Sequence, residues 1–145
     1  MTSAPRLFLD ASVWIAAAGS STGASASVLA LCRHDQATGL VSQLVLQEAE
    51  RNIRTKLDDE ALLRFYHTLG ALDVVMIRAP SAAEVAAQAR IIHPKDAHVL
   101  AAARKGNADT LLTLDKRHFL SPSVLKANLP FAIMTPGEFL RRLTS

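Results

Sequence analysis

The sequence predicts an α/β fold: one domain built on a central parallel sheet of about five short strands flanked by helices. Three observations carry this prediction. Short apolar runs alternate with longer stretches of helical periodicity along the chain. The runs are apolar at consecutive positions rather than alternate ones, as in strands covered on both faces. The chain has 145 residues, half of them hydrophobic, which suits one domain with a substantial core.

The first run, Arg6, Leu7, Phe8 and Leu9, ends at Asp10 and reads as strand one. Residues 11–18 read as a helix with Ser12 at its N-cap. The small polar stretch SSTGASAS, 20–27, reads as a loop, and a helix follows over 27–35. Gly39 marks a turn before strand two at 40–42. The helix over 43–57 sets Val45, Leu46, Ala49, Ile53 and Leu57 along one side. Asp58, Asp59 and Glu60 form the acidic first turn of a helix that reaches 69 and stops at Gly70.

Strand three is the β-branched DVVMI, 73–77. Pro80 and Ser81 open a helix through 91, and Pro94 precedes an alanine-rich helix over 95–105 that Gly106 closes. Strand four is DTLLTL, 109–114, and strand five is FAIM, 131–134. Pro136 and Gly137 lead into a last helix ending near 143. No linker, repeat or low-complexity tract interrupts the pattern, so residues 1–145 read as one domain.

Composition excludes several classes. The lone Cys32, in the apolar VLALC, allows neither an intramolecular disulfide nor a cysteine-rich zinc site. No apolar run approaches the ~18 residues of a membrane span. The N-terminal residues lack a signal-peptide pattern, so a soluble, cytoplasmic protein is expected. SSTGASAS has neither of the glycine patterns that cradle phosphates. The net charge of +3 permits a nucleic-acid partner without requiring one.

Ligands of open α/β sheets bind beyond the C-terminal strand ends. Asp10 follows strand one there, with Ser12 two residues on. Asp115 follows strand four, with Thr113 before it. Asp96 heads the alanine-rich helix, and Glu48 lies early in the helix after strand two. An acid in a first helical turn also has a plain role, complementing the macrodipole for about 0.3–1 kcal/mol. Asp109 begins the strand that Asp115 ends, roughly 20 Å away, and reads as a water-facing residue at the wrong edge. Helical phase leaves Glu48 and Glu50 both open, on opposite flanks of the apolar face.

Convergence of Asp10, Glu48, Asp96 and Asp115 would have a consequence. Two carboxylates ~5 Å apart repel by about 3 kcal/mol at an effective dielectric near 20. A divalent cation relieves that repulsion, and oxygen donors without cysteine favour Mg²⁺ or Mn²⁺. With those acids set aside, 16 basic side chains face nine acids, a balance that suits a polyanion. Arg51, Arg54 and Lys56, then Lys95, Arg104 and Lys105, then Lys116 and Arg117 lie near the proposed site in sequence; ordinary solvated faces explain them equally. His34, His67, His93, His98 and His118 are assigned structural or surface roles, and Trp14 to the core.

Three segments, LFLDASVWIAAA (7–18), VSQLVLQEAERNI (41–53) and KDAHVLAAARKGNADTLLTLDKRHF (95–119), resemble the PIN-domain family, in particular its VapC-like toxin ribonucleases. The resemblance matches Asp10, Glu48, Asp96 and Asp115 to the family's four acids, and so selects Glu48 over Glu50. It matches Ser12 and Thr113 to small hydroxyls lining the site. It implies an endoribonuclease that uses Mg²⁺ or Mn²⁺ on single-stranded or structured RNA, with the four acids as catalytic and metal residues. Arg51, Arg54, Lys95, Lys116 and Arg117 become RNA-binding candidates. It further implies a toxin held by an antitoxin protein, and a homodimer. One alternative is a non-catalytic PIN-fold module that binds RNA or protein. Another, an α/β domain with Asp10 as phosphoryl acceptor, is disfavoured because Ser12 stands where a second Asp is expected.

Overall fold

The apolar run ending at Asp10 becomes the middle strand of the sheet. The computed structural model describes residues 3–145. Strand β1 (Arg6–Leu9) leads through helices α1 (Ala11–Gly19) and α2 (Ala24–Arg33) to β2 (Thr38–Ser42). Helices α3 (Gln43–Lys56) and α4 (Asp59–Ala71) lead to β3 (Val75–Ile77). Helix α5 (Ala82–Gln88), a 3₁₀ turn (Pro94–Asp96) and α6 (Ala97–Lys105) return the chain to β4 (Thr110–Leu112). Short helices α7 (Lys116–Phe119) and α8 (Pro122–Lys126), then β5 (Ala132–Met134) and α9 (Pro136–Thr144), complete the order.

All five strands are parallel, in the spatial order β3-β2-β1-β4-β5. The chain therefore works outward from β1 through β2 to β3, then crosses back to start again on the other side of β1. Right-handed crossovers run in opposite directions put their helices on opposite faces. Accordingly α1 packs on α2, α3 and α4, whereas α5 packs on α6. Leu7, Phe8, Leu9, Leu40, Leu111 and Leu112 are fully buried between these layers. Each such side chain contributes about 1.5–3 kcal/mol through burial. No single helix among the described residues is long and apolar enough to cross a membrane.

Element boundaries differ from the sequence expectation where tertiary contacts decide them. Helix α2 starts at Ala24, three residues early, with Gly23 at its N-cap and Ser25 buried; the loop after α1 shrinks to 20–23. Ser12 is not an N-cap: Asp10 occupies that position, and Ser12 lies inside the first turn. Strand β4 ends at Leu112; the Thr113 N–H still donates to the Met134 carbonyl of β5 at 3.1 Å, and residues 114–115 leave the sheet. Helix α5 ends at Gln88 rather than 91, and α4 runs past Gly70 to Ala71. Helices α7 and α8 were not anticipated, being shorter than two turns and so without readable periodicity. Ser121 capping α8 with Pro122 in its first turn was the available signal.

Asp109 lies at the N-terminal edge of the sheet, where its carboxylate accepts the Arg6 backbone N–H at 2.7 Å. The Arg6 guanidinium donates to the Gly106 carbonyl from Nε at 3.2 Å and Nη2 at 2.8 Å. Gly106 ends α6 against β3: a Cβ there would stand 2.7 Å from Ile77 Cδ1 and 3.0 Å from its Cγ1. Gly106→Ala is expected to destabilise the fold by about 1–3 kcal/mol through overpacking. Urea unfolding should show this as a lower midpoint at unchanged slope.

Candidate metal centre

The strand order reverses between β1 and β4, and a doubly wound sheet opens a crevice at such a point. The ladder runs right up to it: the Asp10 backbone N–H donates to the Leu112 carbonyl at 3.1 Å. Beyond that bond side chains take over. Thr113 Oγ1 donates to Asp10 Oδ2 at 2.7 Å, and Ser12 Oγ donates to the same oxygen at 3.1 Å. Each hydroxyl also accepts a backbone N–H from the outgoing loop: Leu114 to Ser12 at 3.0 Å, and Asp115 to Thr113 at 3.1 Å. The hydroxyls thereby tie the Asp10 carboxylate to the loop that carries Asp115.

Glu48 reaches the same crevice from α3. Ser42 caps that helix by accepting the Val45 N–H at 3.3 Å, and buried Val45, Ala49 and Ile53 fix its rotation. Glu48 and Asn52, one turn apart, then line a cleft of roughly 350 Å³, while Glu50 faces away along α4. Asp96 enters from the end of the 3₁₀ turn, anchored by the fully buried Ala97. Asp115 caps α7: its Oδ1 accepts the His118 N–H at 3.2 Å, and its Oδ2 lies 2.7 Å from His118 Nδ1. All four sequence-selected acids, with Ser12, line this one cleft, and Thr113 lies buried beneath it.

Within the cleft, Asp96, Asp115 and His118 each offer a donor atom within 4.8 Å of the others. Asp10 and Glu48 lie outside that trio. Burial pushes the Asp10 carboxyl above the ordinary carboxylate range; hydrogen bonds from Thr113, Ala11 and Ser12 pull it back, and the Glu48 charge adds a smaller upward push. Desolvation, rather than the crowding of like charges inferred from sequence, is therefore the main cost of ionising Asp10. Clustered carboxylate oxygens, one imidazole and a buried acid in need of a counter-charge fit a divalent cation.

The basic candidates divide. Lys95 lines the cleft. Arg117 lines a shallow hollow beside it that shares His93 and His118, and exposed Lys116 pairs with Glu138 at 3.4 Å. Arg51 and Arg54 do not face the cleft: they line the groove between α3 and α4, where Arg54 bonds Glu50 at 3.4 Å and the Tyr66 hydroxyl at 2.8 Å. They share this groove with Glu50, whereas Glu48 and Asn52 line the cleft. The cleft also holds two histidines given structural or surface roles from sequence. His93 Nδ1 accepts the Lys95 N–H at 3.0 Å, and His118 pairs with Asp115. The three-residue spacing of Asp115 and His118 was the legible signal for the second, but it needs α7 to act.

The family model described as PIN domain matches residues 6–117. Among curated protein sequences none matches significantly. PAE2754 from Pyrobaculum aerophilum is a similar solved structure, with TM-score 0.61 and 19% identity over 97% of this chain and 91% of that one. VapBC2 from Rickettsia felis, bound to a DNA fragment from its promoter, gives TM-score 0.64 and 17% identity over 89% and 98%. VapC20 of Mycobacterium tuberculosis, described as a sarcin-ricin loop cleaving toxin, gives 0.53 and 13% over 86% and 97%.

The Asp10 shift has a sign that can be checked. A carboxyl raised in the folded state contributes stability that is complete below its unfolded pKa and lost as pH rises through the folded value. Without metal, Asp10→Asn is therefore expected to raise the melting temperature at neutral pH. The gain should vanish as pH falls below the ordinary carboxylate range, in melts recorded with EDTA across pH.

Proposed function

The chain belongs to the PIN-domain family, and from that premise we propose that it is a metal-dependent endoribonuclease of the VapC-like toxin type. The observation that carries the proposal is the meeting of Asp10, Glu48, Asp96 and Asp115 in one cleft at the β1–β4 switch point. In this reading these acids hold Mg²⁺ or Mn²⁺. A bound cation supplies charge stabilisation at the oxygens of an in-line phosphodiester displacement. In that displacement a water oxygen bonds to phosphorus as the bond to the leaving oxygen breaks.

The residues divide the remaining work. Ser12 and Thr113 hold the Asp10 carboxylate in one orientation, so it is preorganised before substrate arrives. Lys95 in the cleft offers a positive charge to the phosphate backbone, and Arg117 and Lys116 extend that charge along α7. Arg51 and Arg54 could touch only RNA that passes over the α3–α4 groove. An antitoxin partner belongs to the same proposal, supported by the likeness to VapBC2 and to FitAcB from Neisseria gonorrhoeae. So do a homodimer and a cytoplasmic setting.

Single-stranded and structured RNAs, incubated with the purified chain and Mn²⁺, Mg²⁺ or EDTA, test the reading. Cleavage should require the cation, and Asp96→Asn should lower it about a hundredfold or more. RNA binding without cleavage under every condition would instead favour a binding module. Thr113→Val removes the donor to Asp10 and the acceptor for the Asp115 N–H. It should cost roughly 10–100-fold in turnover but only about 1 kcal/mol in stability, read from single-turnover rates and urea unfolding.

A further inference from the structure

We propose that His118 is a nitrogen ligand of the cation held in the cleft, and that it biases the site toward Mn²⁺ and the later first-row dications over Mg²⁺. The inference rests on the metal-dependent reading above and names what selects the metal.

The geometry begins with α7. Asp115 stands at its N-cap and His118 follows one turn on, so the ring returns to the carboxylate that caps its own backbone. The ring Nδ1 lies 2.7 Å from Asp115 Oδ2 and 4.0 Å from Asp96 Oδ2. One nitrogen thus stands between carboxylates from two elements, the loop after β4 and the 3₁₀ turn before α6. Two donors on one ion, with bonds of about 2.0–2.2 Å, lie at most ~4.3 Å apart. Both distances fall within that limit.

The 2.7 Å separation of the ring nitrogen and the carboxylate oxygen is that of a hydrogen bond. The same two atoms could instead both bind one dication, since imidazole ligates through an unprotonated nitrogen. The His118 side chain is 51% exposed and has room to turn onto an ion, whereas those of Asp96 and Asp115 are 18% and 35% exposed and more confined. The resulting donor set mixes carboxylate oxygen with imidazole nitrogen. Mg²⁺ prefers oxygen alone, whereas affinity of nitrogen-containing sites rises from Mn²⁺ through Co²⁺.

Two variants separate a ligand from a hydrogen-bond donor. His118→Asn keeps an N–H donor close to the Nδ1 position but removes the imidazole; His118→Ala removes both. Calorimetry with MnCl₂, CoCl₂ and MgCl₂ on the intact chain gives the affinities, and the visible spectrum of bound Co²⁺ reports its ligands. The wild type should bind Mn²⁺ and Co²⁺ about tenfold or more tightly than Mg²⁺. Both variants should lose that difference, with Mg²⁺ affinity nearly unchanged and the Co²⁺ spectrum altered. A His118→Asn protein that keeps the wild-type Mn²⁺-to-Mg²⁺ ratio and spectrum would leave His118 as a donor to Asp115 only, overturning the inference while the nuclease reading stands. If no cation binds the wild type, both fall together.

Discussion

One short hydrogen bond, from Thr113 to the buried Asp10 carboxylate, joins the ends of β1 and β4 where the sheet changes direction. Neighbouring strands elsewhere in the sheet are joined by backbone ladders. At this junction the ladder stops after the Asp10 N–H, and the chain opens into a crevice. Asp10, Ser12, Thr113 and the loop carrying Asp115 form one hydrogen-bonded unit at its floor. Glu48 and Asp96 can contribute only because α3 and α6 are aimed at the unit by their own buried faces.

That arrangement sets stability against chemistry. A carboxylate at 6% exposure is costly to ionise, and its hydroxyl donors recover only part of the cost. The apolar side chains of β1, β2 and β4, most of them fully buried, contribute burial energy that offsets this cost. A site assembled in this way is rigid at Asp10 and more open toward Asp115 and His118, whose side chains are partly exposed. Preorganisation on one wall and access on the other suit the proposed role, in which a cation would be held beside a polymeric substrate.

Much of this was legible in the chain. The consecutive apolar runs placed every strand: β1, β2 and β4 because a strand covered on both faces has no polar side to show, and the edge strands β3 and β5 although their apolar residues are partly exposed. Asp10 was legible for the same reason: a strand end in a parallel sheet fixes where the next side chain emerges. Asp115 was expected directly after strand four, but β4 ends at Leu112 and the Ser12 and Thr113 hydroxyls hold the loop that carries it. Glu48 was not separable from Glu50 by periodicity, since both flank the apolar stripe; family likeness chose it, and the structure sets it in the cleft with Glu50 facing α4. Arg51 and Arg54 were grouped with the site because they are near Glu48 in sequence, but they line the α3–α4 groove with Glu50 rather than the cleft with Glu48 and Asn52.

What the sequence by itself determined is the alternation of strand and helix, the core, and the place of Asp10 at the end of β1, all consequences of hydrophobic pattern and of residues fixed at element ends. Tertiary structure alone decided the strand order, the meeting of Asp96 and Asp115 from segments separated by β4, and the entry of His93 and His118 into the cleft. The physical reason is range. Periodicity reports which face of an element is buried, whereas a donor cluster depends on which ends the crossovers bring side by side. The short helix that returns His118 to Asp115 is itself capped by the Asp115 side chain.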